Sequence, residues 1–476
     1  MPDQPNQAID PQWAWESYRP TQQHPWDIRK VGHLYRRAAF GATLGEMQRA
    51  LRDGPADTIN RILEGGDNQA AFEREANGLL PGIEQANNGQ SLTAWWLYKC
   101  LYSPHPFREK MTTFWHDHFA TSNLKVNNVT YMVGQYQLMR RHAQGNFETM
   151  LQDITMDPAM LIWLDTVDSR RGQPNENYAR ELMELFSLGI NNYQNPQEAN
   201  YTEQDIREAA RAFTGYRVAN GRGVFREELH DNTRKSVLGQ RGPFRGPDIV
   251  RICLRQPACS YFIVSKLFRY FVSETLPAPA ALLAPLADDF RQNWNIQSVM
   301  ERMLRSNLFF SAQAYRSQIK SPVDFAIGIA RALEGRIGTL AMGTALEGLG
   351  QRLFYPPSVA GWDGGRAWLN GQTLLFRHNL ALAMTSTQDD AYGRRLDPAD
   401  VARNHNRQSD AELIDLFLTI FLQNDVPNGT RNRLRQYMQQ ARNNPVPVFW
   451  TSQDAENQRI RSLCHLVLTL PEFQLN

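Results

Sequence analysis

The sequence predicts an all-α fold: a single large, mainly helical domain of orthogonal and bundle-like helices, with one small β-hairpin near 216–230. Three observations lead there. Apolar residues recur at three- and four-residue spacing through most of the chain, which is the period of a helix face. Capping residues, first-turn prolines or terminal glycines punctuate those stretches at helical lengths. Strand chemistry is convincing in one place alone, Tyr216-Arg217-Val218 and Val224-Phe225-Arg226 on either side of a Gly-rich turn. With 476 residues, 42% of them hydrophobic and 21% charged, the chain has the proportions of a globular protein with a substantial core.

Residues 1–28 are rich in Pro, Gln and Trp without periodicity and read as an irregular arm, tacked down by Trp13, Trp15 and Trp26. The core domain spans 29–387. Its helices begin near Val31 and include Thr43–Asp53, opened by a Thr cap, and Pro55–Glu64, with Pro in the first turn. The Gly-, Asn- and Gln-rich stretch 65–90 reads as a loop with one short helix. Leu92–Tyr102 and Pro106–Ala120 are strong helices broken by Ser103-Pro104-His105-Pro106, and helical patterns follow at 126–141, 145–153 and 156–164. Asn175–Ile190 reads as one amphipathic helix, capped by Asn175 and ended by Gly189, on which the rest of the chain is organised. Thr202–Thr214 opens on a capping-box pair, Thr202 with Asp205, and stops at Gly215. The β-hairpin insert occupies 216–245. Helical patterns resume at 246, interrupted by a loop at Phe354–Asn370. A polar connector at 388–408 leads to a C-terminal helical bundle, 409–476, packed on the core.

Charge and composition exclude several classes. Lys+Arg 51 against Asp+Glu 49 gives a net charge of +2, which supports no nucleic-acid partner and no anionic membrane. No run approaches the ~18 apolar residues of a transmembrane span. The N-terminus lacks a basic n-region and an apolar h-region, so no signal peptide is read and the default compartment is cytoplasmic. Cys100, Cys253, Cys259 and Cys464 fit neither a zinc module nor a disulfide framework. No GxSxG, P-loop or HExxH pattern occurs, which removes serine-hydrolase, nucleotide-binding and classical zinc-protease readings.

The polar residues that stand out lie on a few segments. On the Asn175 helix, Asn177, Arg180, Glu181 and Glu184 form one stripe, with Glu176, Arg180 and Glu184 four apart so that Arg180 can bridge two carboxylates. A solvated ion-pair face is the bland reading. The absence of Lys and the presence of a planar Arg suit a buried network instead. In FREKMTTFWHDHF, residues two apart point roughly 200° apart on a helix, so His116 and His118 cannot chelate one ion. His118 follows an apolar stripe and reads as a core histidine. His116 follows Glu109 on one face, a pair suited to acid–base work or to a structural contact. Asp205, Glu208 and Arg211 read as a solvated face or as part of a site. His230-Asp231 and Lys235 come from the loop after the hairpin, a usual place for working residues. The loop FYPPSVAGWDGGRAWLN cannot be helical at its prolines. It reads as a rigid Trp-anchored closure or as a lid in which Trp362 or Trp368 meets a sugar or peptide, with Arg377 beyond it.

The segments HLYRRAAFGAT, FWHDHFATS, NENYARELMELFSLG, YTEQDIREAARAFTGYR, HDNTRKSVLG, YFIVSKLFRYFV, IKSPVDF, PPSVAGWDGGRAWLN and LTLPEFQLN occur in this order over nearly the whole chain. Together they resemble the bacterial domain-of-unknown-function family numbered eighteen hundred. The resemblance implies a helical fold and a genetic neighbour with a sulfatase- or alkaline-phosphatase-like fold, commonly exported, but it implies no catalytic role. Its motifs fall on His116, Asn177, Arg180, Glu181, Glu184, Asp205, Arg211, His230, Asp231, Lys235, Trp362 and Arg377. Asp117 stands where Asn or another polar residue is common, and Ser358 where Asn is.

Two functions are open at this point. In the first, His116, Glu181, Glu184, His230 and Asp231 are catalytic, and Asn177, Arg180, Arg211, Lys235, Trp362 and Arg377 bind ligand. His116, Glu181, Glu184 and His230 are then the candidate set for a divalent metal, iron, manganese or zinc. The reaction would be hydrolysis or transfer on a cell-surface glycan or peptide. In the second, the stripe is a structural network in a non-catalytic scaffold or export partner of the sulfatase-like companion.

Overall fold

The structure, a computed structural model, describes residues 9–386, 391–392, 396–443, 445, 447 and 450–476. It is mainly helical, as the periodicity predicts. The order is α1 (Pro11–Trp15), α2 (Ile28–Ala38), α3 (Leu44–Glu64), α4 (Gln69–Asn77), α5 (Leu80–Gln85), α6 (Gly89–Tyr102), α7 (Pro106–His118), α8 (Asn123–Val126), α9 (Val129–His142), α10 (Phe147–Thr155), α11 (Pro158–Trp163) and α12 (Asn177–Glu181). A π-helical segment, Leu182–Ser187, continues α12, and α13 (Glu203–Ala212) follows. After strands β1 (Tyr216–Ala219), β2 (Arg222–Phe225), β3 (Lys235–Val237) and β4 (Gln240–Gly242) come α14 (Gly246–Arg255), α15 (Pro257–Phe271), α16 (Ala280–Asn293), α17 (Ile296–Arg305), α18 (Pro322–Ala332) and α19 (Thr339–Gly348). The chain closes with α20 (Gly371–Thr385), α21 (Pro398–Asn404), α22 (Asp410–Leu422), α23 (Asn428–Arg442) and α24 (Ser452–Leu468). Among the described residues, no helix is long and apolar enough to cross a membrane.

Local chemistry sets the boundaries. Thr43 and Thr202 each form a full capping box, with Glu46 and Asp205 respectively. α3 is two helices joined at Gly54, whose φ of 80° only glycine adopts freely, with Pro55 starting the second half. The stretch 65–90 holds two helices, α4 and α5, where one short helix was expected. Its Gly and Asn residues mark the breaks at Gly78 and Asn87–Asn88 rather than one long loop. In the N-terminal arm, Trp15 donates from its indole to the Leu282 carbonyl (2.6 Å) and Trp26 to that of Ala50 (2.9 Å), whereas Trp13 is 44% exposed. Of the polar connector, residues 387–390 and 393–395 lie outside the described residues, and α21 stands within the remainder.

Two antiparallel ribbons interrupt the helices. The expected hairpin pairs Tyr216 with Phe225 and Ala219 with Arg222, and turns through Asn220-Gly221 with both φ angles positive. A second ribbon, β3–β4, turns through Leu238-Gly239, again with both φ positive, and was not expected. Leucine pays strain in that conformation, and its N–H is held by Asp205 Oδ1 at 2.7 Å. One cluster of buried apolar side chains runs from Ala14 to Phe473, so the arm and the last helix close over the same core. Each fully buried Phe or Leu in it contributes roughly 2–3 kcal/mol relative to an exposed one.

Candidate functional site

The organising segment is helical from Asn177 to Ser187, within the expected Asn175–Ile190, but not as one α-helix. Asn175 accepts from the Asn177 N–H (2.9 Å), the cap that its residue type suggests. After Glu181 the backbone widens into the π segment. Leu188 donates to the carbonyl of Met183, five residues back (2.9 Å), and the Ser187 hydroxyl bonds the Leu182 carbonyl. Gly189 then turns out at φ 76°, and Asn200 caps the carbonyls of Leu188 and Gly189 at 2.9 and 3.0 Å. Segments of this kind recur at functional sites because they re-aim side chains that an α-helix would align.

The re-aiming is visible in the stripe. Arg180 grips Glu203 on α13 with both terminal nitrogens at 2.8 Å and reaches Glu176 at 3.3 Å, so its two carboxylates are Glu176 and Glu203, not Glu184. Glu184 accepts from the Tyr201 hydroxyl (3.2 Å). Glu181 is partly buried, and no donor among the described residues reaches its carboxylate. Burial, and then the charge of Glu184, push Glu181 up to about 7, with Arg180 opposing. Asn177 faces away, donating to Asp165 (3.2 Å), which pairs with Lys125.

His116, Asp117 and His118 lie about 100° apart on the last turn of α7, the first two fastening the two ends of one loop and the third another segment. His116 is fully buried among Trp96, Phe354 and Trp362, and its Nε2 accepts from the Phe354 N–H (3.0 Å), so the neutral ring carries its proton on Nδ1. Burial alone holds it down to about 3. Asp117 accepts from the Trp362 N–H (2.8 Å), and a Cβ on Gly361 (φ 83°) would lie 2.3 Å from its carboxylate, which explains the glycine. His118 donates from Nε2 to the Phe186 carbonyl (3.1 Å), tying α7 to the π segment. The Trp362 loop is therefore pinned at both ends of its 354–362 stretch. Glu109 does not meet His116. It is fully buried and accepts from Tyr136 and Arg140, both at 2.7 Å.

The third group is a closed network. Asp205, Glu208 and Arg211 on α13 are covered by the second ribbon instead of facing water. Glu208 accepts the Ser236 N–H (3.0 Å), and Arg211 donates to Glu208 and to Asp231, each at 2.8 Å. Asp231 also holds Thr233, and Lys235, 2% exposed, donates to the Asp231 and Thr233 carbonyls. Although burial opposes it, the bonds from Arg211 and Thr233 keep Asp231 well below the usual carboxylate range. His230 donates from Nδ1 to the Thr214 carbonyl (2.9 Å) and packs edge-on to Phe225. Gly215 permits this approach, since a Cβ there would lie 2.6 Å from the Arg226 carbonyl.

So the structure joins His116 to Trp362, Glu181 to Glu184 and Arg180, and Arg211 to Asp231 and Lys235. It places Arg377 elsewhere, buried between α18 and the chain's last turn, donating to the Lys320 carbonyl (2.7 Å) and Gln474. His116, Glu181, Glu184 and His230 do not meet as a ligand set, and among the described residues no group of three or more His, Cys, Asp or Glu is placed to hold a metal ion. Those four side chains are too dispersed among separate segments to share one bound ion. Sequence reasoning missed Tyr201, Glu203 and Lys266. Lys266 interacts electrostatically with Asp117, its amine brought down to about 8 by burial with Asp117 opposing, while burial raises Asp117 itself to about 6. The signal was available in YFIVSKLFRYFV, where a lone Lys interrupts an apolar helix face.

A family model described as "Protein of unknown function (DUF1800)" matches residues 33–475. No curated protein and no solved structure matches the chain.

Proposed function

This chain belongs to the DUF1800 family, and from that premise we propose that it is an enzyme of carboxylate acid–base chemistry, hydrolysing or transferring a group on a cell-surface glycan or peptide. One observation carries the reading. Glu181, alone among the charged residues of the stripe, is partly buried and unpartnered, beside a second carboxylate on a π segment. Pairs of carboxylates whose environments separate their proton affinities supply an acid and a base to one reaction. Protonated near neutrality, Glu181 is the proton donor to the leaving group. Glu184, oriented by Tyr201 on Oε2, takes the proton of an attacking water through Oε1, and the scissile bond breaks as that water adds. Arg180 and Glu203 fix the angle between the π segment and α13, which makes them positioning residues.

A panel of 4-methylumbelliferyl glycosides and peptide nitroanilides tests this. The reading expects turnover of at least one member, lost in Glu181→Gln and in Glu184→Gln while both variants unfold at the wild-type urea midpoint. Turnover unchanged by Glu181→Gln, or none on any member, counts against it.

A second reading, a scaffold that docks a sulfatase-like companion, is supported by a different surface. Leu375 and Leu382, seven apart on α20, are 61% and 50% exposed, with Leu374, Phe376 and Leu340 beside them, also exposed. Co-purification with that companion, lost in Leu375→Ser/Leu382→Ser and kept in Glu181→Gln, favours this reading over the first.

A further inference from the structure

A sizeable cavity lies on elements that the Glu181 pair does not use. It is a cleft of ≈ 770 Å³ between the ends of α3 and α4, the last turn of α6, the start of α7 and the last turns of α9. A volume of that size suits a small ligand. Its floor is a closed charge array. Glu73 takes Lys99 at 2.9 Å and Arg140 at 2.5 Å, and Arg140 also holds Glu109 at 2.7 Å. Two cations and two carboxylates balance there, so the floor needs no ligand.

The walls are different. Arg108, half-buried in the first turn of α7, makes no hydrogen bond or ion pair through its guanidinium among the described residues, and Arg141 on the rim makes none either. Among the described residues the remaining charged lining group is Glu64, which is exposed. Burial and the charge of Arg140 disfavour the Arg108 cation, with Glu109 and Glu73 opposing in part, and its guanidinium is left with its donors free for an added anion. Between the charges the lining is amide: Asn77, Gln137 and Gln297 offer paired donors and acceptors, the complement of hydroxyl groups. A guanidinium fork is the side chain that matches a planar or tetrahedral oxyanion with two parallel bonds.

We propose that this cleft binds a small polyhydroxylated anion, its phosphate or carboxylate held by Arg108 and Arg141 and its hydroxyl groups by the amide lining. The ligand is a sugar phosphate or a uronate. The site is distinct from the Glu181 pair, so either can fail without the other.

Isothermal titration of the full chain with glucose 6-phosphate, glucuronate, glucose and inorganic phosphate decides it. Either of the first two is expected to bind with a Kd below about 1 mM, and whichever is tighter identifies the anion. Glucose is expected to bind far more weakly. Arg108→Ala should weaken binding at least about tenfold and Arg108→Lys less, because the charge stays and the fork is lost. Since Arg108 supports no contact of the fold, both variants should unfold as the wild type does, and Arg141→Ala provides an independent second variant. Inorganic phosphate binding as tightly as glucose 6-phosphate would mean an adventitious ion only and would overturn the proposal. So would affinity unchanged in both Arg108→Ala and Arg141→Ala, or no heat from any anion at millimolar concentration.

Discussion

Asp231 and Glu181 are carboxylates on neighbouring polar segments, and the fold treats them in opposite ways. Asp231 receives Arg211 and Thr233 and sits in a network where every charge has a partner. Glu181 has none among the described residues, and the charge of Glu184 repels it more than that of Arg180 attracts it. A paired carboxylate of this kind stabilises the molecule and is chemically inert. An unpaired one costs stability and keeps a proton that it can give away. The difference teaches that a polar stripe in the sequence does not reveal which members work, because the partners come from other elements. Arg211 meets Asp231 and Thr233 on the loop that leads into the second ribbon, whereas no donor from another element reaches Glu181 among the described residues.

Breaking the paired side should give the largest effect. Asp231→Ala strands Arg211 and frees the loop that carries His230, at a cost of about 3 kcal/mol read from the urea midpoint at pH 7. The sign with pH follows from the depressed proton affinity of Asp231. Its contribution is present above the ordinary aspartate value of 3.8 and is lost as the pH falls further, through its lower folded value. The gap between wild type and Asp231→Asn should therefore shrink on going from pH 7 to pH 3. A gap that is constant or grows would remove Asp231 from the network.

A smaller effect is expected at the Trp362 loop. Asp117→Ala removes the acceptor of the Trp362 N–H and should cost about 1–2 kcal/mol, with more rapid quenching of tryptophan fluorescence by acrylamide. Asp117→Asn keeps an oxygen for that N–H, so the loop should stay closed. Loosening in both variants alike would show that charge, not the hydrogen bond, holds the loop. The smallest effect belongs to Arg180. Its partners are solvent-exposed, so Arg180→Ala should leave the urea midpoint unresolved from wild type. A large loss there would favour the structural-network account of the stripe.

Much of the fold was legible because its cues are local. Thr43 and Thr202 announce their helices through capping boxes, and Asn220-Gly221 announces its hairpin. The second ribbon was hidden because Leu238 occupies a turn position that leucine rarely takes and that Asp205, more than thirty residues away, makes tolerable. The π segment was hidden because NENYARELMELFSLGI consists mostly of good helix formers, and the bonds that accompany the widening, Ser187 to the Leu182 carbonyl and Asn200 to the Leu188 carbonyl just beyond it, do not show in the residue types. In the candidate site, the residue types were readable and the pairings were not. Glu109 turned to Arg140 and Tyr136 instead of His116, and Arg180 to Glu203 instead of Glu184, because those choices depend on helix packing.

The most direct test of the central claim, that Glu181 is held as an unpaired acid, is the pH dependence of stability in Glu181→Gln against wild type. The folded proton affinity of Glu181 lies at about 7 against an ordinary value of 4.5, so wild type loses stability as the pH rises between the two. The glutamine variant escapes that loss. It should match wild type near pH 4.5 and exceed it by about 1 kcal/mol at pH 8, solvent screening at the half-exposed position reducing the full linkage. A difference that does not change with pH, or a wild type that is the more stable at pH 8, would mean that Glu181 has a partner and is no acid in waiting.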